Sequence, residues 1–97
     1  MRTNEEQRRL DEACALLDAV AIAPGVDPLA ATWALQAADH LTRAGARTAH
    51  GRHLSDTPVR TARRALRLLG TLSFDTFAED AVLDAVHATQ RLHAAAV

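Results

Sequence analysis

Apolar residues recur at helical spacing along almost the whole chain, and Pro or Gly interrupts the pattern at only a few places. An apolar stripe with a period of 3.6 residues predicts amphipathic helices that bury one face against their neighbours. The 22 Ala favour helix formation and allow helices to approach closely. We therefore predict an all-α fold, a compact antiparallel four-helix bundle.

The 97 residues suffice for a single domain. Helices are predicted at about residues 4–23, 28–44, 58–69 and 74–95. The fourth helix has two possible N-caps, Ser73 and Thr76. Residues 46–56 lack a sustained apolar period and predict a long connection between the second and third helices, with one helical turn around Leu54.

Local capping signals mark where the first three helices begin. Thr3 and Glu6 have the spacing of a capping box. Asp27-Pro28 and Thr57-Pro58 each place an N-cap residue before a Pro that suits the first turn of a helix. Gly45 follows the second helix and predicts its end.

Several large or reactive side chains are predicted to lie in the core. Trp33 is expected to bury the largest area, and Leu29 and Phe74 are placed on inner helix faces. Cys14, the one cysteine, also lies on an inner face, so we interpret it as a small core residue; the alternative is a reactive thiol. A single cysteine that cannot form an intramolecular disulfide fits a reducing compartment.

Charge and chain-end composition narrow the class of protein. The formal net charge of −1 argues against a general nucleic-acid-coating protein. The polar, acidic start predicts no signal peptide, and no apolar run approaches the ~20 residues that span a membrane, so we expect a cytoplasmic protein. Eleven Arg and no Lys, beside abundant Ala, are typical of a high-GC bacterium.

One face of the third helix carries an arginine stripe. It consists of Arg60, Arg63, Arg64 and Arg67, which share about 100° of arc. Guanidinium groups at this spacing favour contact with phosphates or with an acidic protein surface. The alternative is a solvated face whose arginines pair with acids of the first helix or with Asp80 and Asp84.

Three leucines point away from the predicted core: Leu35, Leu68 and Leu83. The apolar arc of the second helix is also unusually wide, roughly 240°. Together they predict a surface for self-association or for docking on another protein.

No motif indicates catalysis, and we predict neither an enzyme nor a cofactor. His50 and His53 lie three residues apart, but two nitrogen ligands beside arginines do not complete a metal site, so no metal is expected. His40 is predicted on the apolar face of the second helix, His93 at the edge of the apolar face of the fourth, and His87 at the surface.

These patterns favour a small helical protein-protein interaction or regulatory module that uses the second helix and the outward leucines, with the arginine stripe setting orientation. The alternative is a regulator that binds nucleic acid through the arginine stripe. A helix-turn-helix is disfavoured, because more than ten residues separate the second and third helices, where the motif has about three or four.

Overall fold

All regular secondary structure in the described part of the chain is α-helical. A computed structural model describes residues 2–47 and 52–97. The helices found there are α1 (Asn4–Ile22), α2 (Pro28–Arg43), α3 (Pro58–Gly70), α4 (Phe74–Phe77) and α5 (Asp80–Ala96). The all-α prediction is confirmed, and the bounds of the first three helices agree with prediction to within one residue.

The predicted helix starts are formed by the expected hydrogen bonds. The Thr3 hydroxyl accepts from the backbone N–H of Glu6 at 3.1 Å, and the Glu6 carboxylate accepts from the N–H of Thr3 at 3.4 Å. Asp27 accepts two N–H groups from the first turn of α2, and Thr57 accepts one from the first turn of α3. After α2, Gly45 adopts a φ of 103°, a left-handed conformation that suits glycine.

The prediction of one continuous helix at about residues 74–95 is wrong, because two helices, α4 and α5, lie there. Ser73, one of the two possible caps, caps α4, and the chain then turns at Glu79, whose backbone is extended and which begins α5 without a side-chain cap. The Glu79 carboxylate pairs with Arg2 at 2.6 Å, and the Ser73 N–H donates to Glu6 at 2.6 Å. Both bonds tie the residues that flank the short α4 to the N-terminal part of the chain, at and just before the start of α1.

The four long helices pack in a cyclic order. α2 and α3 each pack on both α1 and α5, and the most extensive contact joins α2 to α5. The largest fully buried side chains are mostly leucines: Leu10, Leu17, Leu41, Leu69 and Leu92. The wide apolar arc of α2 is thus largely used within the chain, between α1 and α5.

Three large side chains are less buried than predicted. Trp33 is half-buried at the edge of the core, with the Arg91 guanidinium 5.2 Å from the centre of its ring. The buried positions of α2 are instead occupied mostly by alanines. Leu29, in the first turn of α2, is 58 % exposed, and Phe74 is 83 % exposed because α4 is separate from α5.

The connection before α3 differs from its prediction. Leu54 packs against the core from irregular backbone, so the helical turn predicted around it is absent from the described residues. Residues 48–51, which include His50, lie outside those residues.

Two carboxylates tie α1 to distant parts of the chain. The Glu6 carboxylate is nearly covered, and the hydrogen bond from the Ser73 N–H is the main reason that its pKa lies below the usual range. Partial burial raises the pKa of Asp11, but hydrogen bonds from the Arg47 backbone at 2.7 Å and from Gln7 at 2.9 Å outweigh it, so the net shift is downward. Both groups therefore favour the fold in their charged form.

We expect the protein to lose stability in acid, because the hydrogen bond from the Ser73 N–H favours the charged form of the Glu6 carboxylate. Because folding lowers its pKa, the carboxylate contributes fully above the ordinary Glu pKa of about 4.3, and this contribution is lost as the pH falls through the lowered value. Thermal melts followed by circular dichroism should show that Glu6→Gln melts below wild type at pH 7 and that the gap narrows as the pH falls below the ordinary Glu pKa of about 4.3 and through the lowered value. The exposed Asp84→Asn is the matched control. A gap that does not change with pH would contradict this role.

Candidate functional site

The structure places all four residues of the arginine stripe at the surface. Arg60, Arg63, Arg64 and Arg67 are exposed. The opposite face of α3 buries Thr61, Ala62, Ala65 and Leu69 against the core, which fixes the direction of the stripe. The sequence of α3 contains no acidic residue, so positive charge is not balanced along the helix.

Two members of the stripe have weak partners. Arg60 lies 3.7 Å from the carboxylate of Asp56, one turn earlier, and its side chain is 72 % exposed. Arg63 donates from Nε to Nε2 of His93 on α5 at 3.3 Å. An exposed pair of this kind contributes about 0 to 1 kcal/mol, so neither contact commits its arginine to the fold.

The other two members, Arg64 and Arg67, make no ion pair or side-chain hydrogen bond within residues 2–47 and 52–97. Asp80 and Asp84, suggested as partners of the stripe, do not pair with it in these ranges. The described structure therefore does not support the interpretation that the fold itself neutralises the stripe.

Arg64 and Arg67 also line an open groove between α1 and the end of α3. Arg9, Leu68 and Thr71 complete its lining, and its volume is about 300 Å³. The sequence gives no sign that Arg9 belongs here, because only the packing of α1 on α3 brings it to the stripe.

Arg9 is the most firmly held of the groove arginines. Its Nη2 pairs with Glu5 at 2.7 Å, and its Nη1 donates to the carbonyl oxygen of Thr71 at 3.2 Å. The second bond occupies a carbonyl at the end of α3, where helix carbonyls lack intrahelical partners. Arg9 is thus oriented before any ligand arrives.

The three predicted surface leucines lie on three different helices, α2, α3 and α5. Leu35 on α2 is 58 % exposed. Leu68 on α3 is half-buried, packs against the core and lines the groove, so it is less exposed than predicted. Leu83 on α5 is half-buried.

The described histidines differ in exposure. His53 and His87 are exposed. His93 is half-buried, in agreement with its predicted edge position, and His40, predicted on an apolar face, is also half-buried. Across residues 2–47 and 52–97, no group of three His, Cys, Asp or Glu side chains is arranged to hold a metal ion. His50, which lies three residues before His53 in the sequence, is outside those ranges.

Cys14 is fully buried between α1 and α2. Its Sγ lies 3.6 Å from the carbonyl oxygen of Ala38 and 3.7 Å from the hydroxyl of Thr42. Burial raises the pKa of the Cys14 thiol, which keeps it in the protonated, weakly nucleophilic form. The position is that of a core residue.

Comparison with known proteins finds no counterpart: no family model, no curated protein and no solved structure matches the chain significantly. Within the described ranges, none of the helices has the length and apolar character needed to cross a membrane.

We expect Cys14 to resist alkylation in the folded protein. Iodoacetamide at pH 8 should label it at least about 100-fold more slowly than in 6 M guanidinium chloride, because the thiol is both covered and protonated. Mass spectrometry over time measures both rates. Comparable rates in the two conditions would show that the thiol is accessible and would contradict its place in the core.

Proposed function

We propose that this protein is a small cytoplasmic interaction module that binds an acidic segment of a partner protein along the arginine stripe. One observation carries the proposal: four exposed arginines share a helix face without acids, and two of them have no ion pair among the described residues. Exposed guanidinium groups bind carboxylates through paired, charge-assisted hydrogen bonds.

The dimensions of α3 suit a short extended segment. Its 13 residues span about 20 Å, which is the length of about six residues of extended chain. Local charge favours such a partner although the whole chain carries a net charge of −1, because contacts at this range depend on the nearest groups.

Leu68 favours a protein partner over a uniform polyanion. It lies one turn after Arg64 and lines the groove with it, so an apolar side chain and guanidinium groups are offered together. An acidic segment that also carries an apolar residue would use both features, as protein interfaces commonly do.

Nucleic-acid binding through the arginine stripe is the second candidate, supported by the same exposed arginines. It is less favoured because phosphate backbones gain no contact from Leu68. Self-association through α2 is a further prediction with less support, since exposed polar residues, Thr32, Gln36 and Asp39, lie close to Leu35 along the helix.

That the four long helices form an antiparallel bundle is also a proposal. Only residues 23–27 connect α1 to α2, and the two helices pack together. A connection this short between packed helices favours an antiparallel pair. The cyclic order of the four long helices is compatible with an antiparallel arrangement of the other neighbouring pairs as well.

Fluorescence anisotropy tests the proposed function with two labelled probes of similar charge, a peptide of ten Glu and two Leu, and a short DNA duplex. We expect the peptide to bind wild type and to bind Arg63→Glu/Arg67→Glu about 30-fold more weakly or not at all, because two favourable charge contacts of up to about 1 kcal/mol each are lost. Arg43→Glu/Arg91→Glu has the same charge change on α2 and α5 and should bind within about threefold of wild type.

Circular dichroism should show that both double variants are folded. Equal loss in the two variants would mean that only total charge matters and would contradict a site on α3. Tighter binding of the DNA, with a steep loss as salt rises, would contradict the protein-partner proposal and support the second candidate.

A further inference from the structure

The groove between α1 and α3 carries more positive charge than the neighbouring carboxylates neutralise. Three guanidinium groups line it, those of Arg9, Arg64 and Arg67, and Glu5 is the one carboxylate that pairs with any of them among the described residues. An excess of two positive charges therefore faces one open space of about 300 Å³.

We propose that this groove binds a phosphate monoester, carried by a phosphorylated serine or threonine of the acidic partner segment. The inference rests on the proposed function and adds to it a specific position and a specific chemical group. The remaining arginines of the stripe, Arg60 and Arg63, would contact carboxylates further along the same segment.

Charge balance favours a phosphate monoester over a single carboxylate. The end of α3 adds roughly −0.5 of helix-dipole charge to the groove, which reduces its excess to about +1.5. A phosphate monoester carries about −1.5 to −2 at pH 7, whereas a carboxylate carries −1. The monoester is therefore the group that neutralises the groove most completely. A nucleic-acid phosphodiester also carries only one charge at each phosphate.

The guanidinium groups of the groove are available to donate hydrogen bonds to phosphate oxygens. Arg9 is fixed by Glu5 and by the Thr71 carbonyl oxygen. Arg64 and Arg67 are three residues apart on α3 and so lie on one ridge of the helix, with no ion pair to break in the described structure. The Thr71 hydroxyl already donates to the Leu68 carbonyl oxygen at 2.6 Å, so the guanidinium groups are the donors left for an anion.

Nuclear magnetic resonance of the arginine Nε–H groups tests this site. The probes are one peptide in three forms, with phosphoserine, serine or glutamate at its centre among flanking Glu residues, and inorganic phosphate alone. We expect the phosphoserine form to bind at least tenfold more tightly than the other two and to shift the Nε–H resonances of Arg9, Arg64 and Arg67. Arg64→Gln/Arg67→Gln should lose this preference, and Arg43→Gln should keep it.

Equal affinity of the phosphoserine and glutamate forms would overturn the phosphate assignment, although binding of both would leave the proposed function standing. Absence of binding by every peptide would overturn both. If inorganic phosphate shifts the same resonances and binds as tightly as the phosphoserine peptide, the ligand is free phosphate and the partner segment is excluded from the groove. A preference that persists in Arg64→Gln/Arg67→Gln would place the phosphate elsewhere.

Discussion

The close packing of α2 on α5 is the contact on which the rest of the structure depends. The buried positions of α2 are alanines apart from Leu41, and α5 presents small buried residues that include Ala85 and Ala88. Small side chains let two helix backbones approach closely, so many atoms come into contact without large residues. α1 then packs on α2, α3 packs on α5, and α1 and α3 pack on each other, with Trp33 at the edge of the core beside Arg91.

A chain of 97 residues buries a limited surface, and polar contacts supplement its core. Those contacts concentrate on α1. Arg2 reaches Glu79 from just before α1, Glu6 binds the start of α4, and Asp11 holds the backbone of Arg47 beyond α2. The acids of α1 are thus largely used to join segments that are distant in sequence, which explains why they do not neutralise the arginine stripe on α3.

The features predicted from the sequence are those that nearby residues determine. Asp27-Pro28 and Thr57-Pro58 define helix starts through bonds within one turn, and the outward direction of the stripe follows from the periodicity of α3. The turn at Glu79 was not predicted, because neither Gly nor Pro marks it and its partner Arg2 is 77 residues away. The groove was missed for the same reason, since it exists only where α1 packs on α3.

Binding through the arginine stripe requires a fold that is complete without it, so that its charge is available to a partner. Chemical denaturation of a variant with Arg60, Arg63, Arg64 and Arg67 all changed to Gln measures this directly. We expect a free energy of unfolding within about 1 kcal/mol of wild type, because exposed arginines with weak or no partners contribute little and their mutual repulsion is removed. A loss of more than about 3 kcal/mol would show that the stripe belongs to the fold and would contradict the claim.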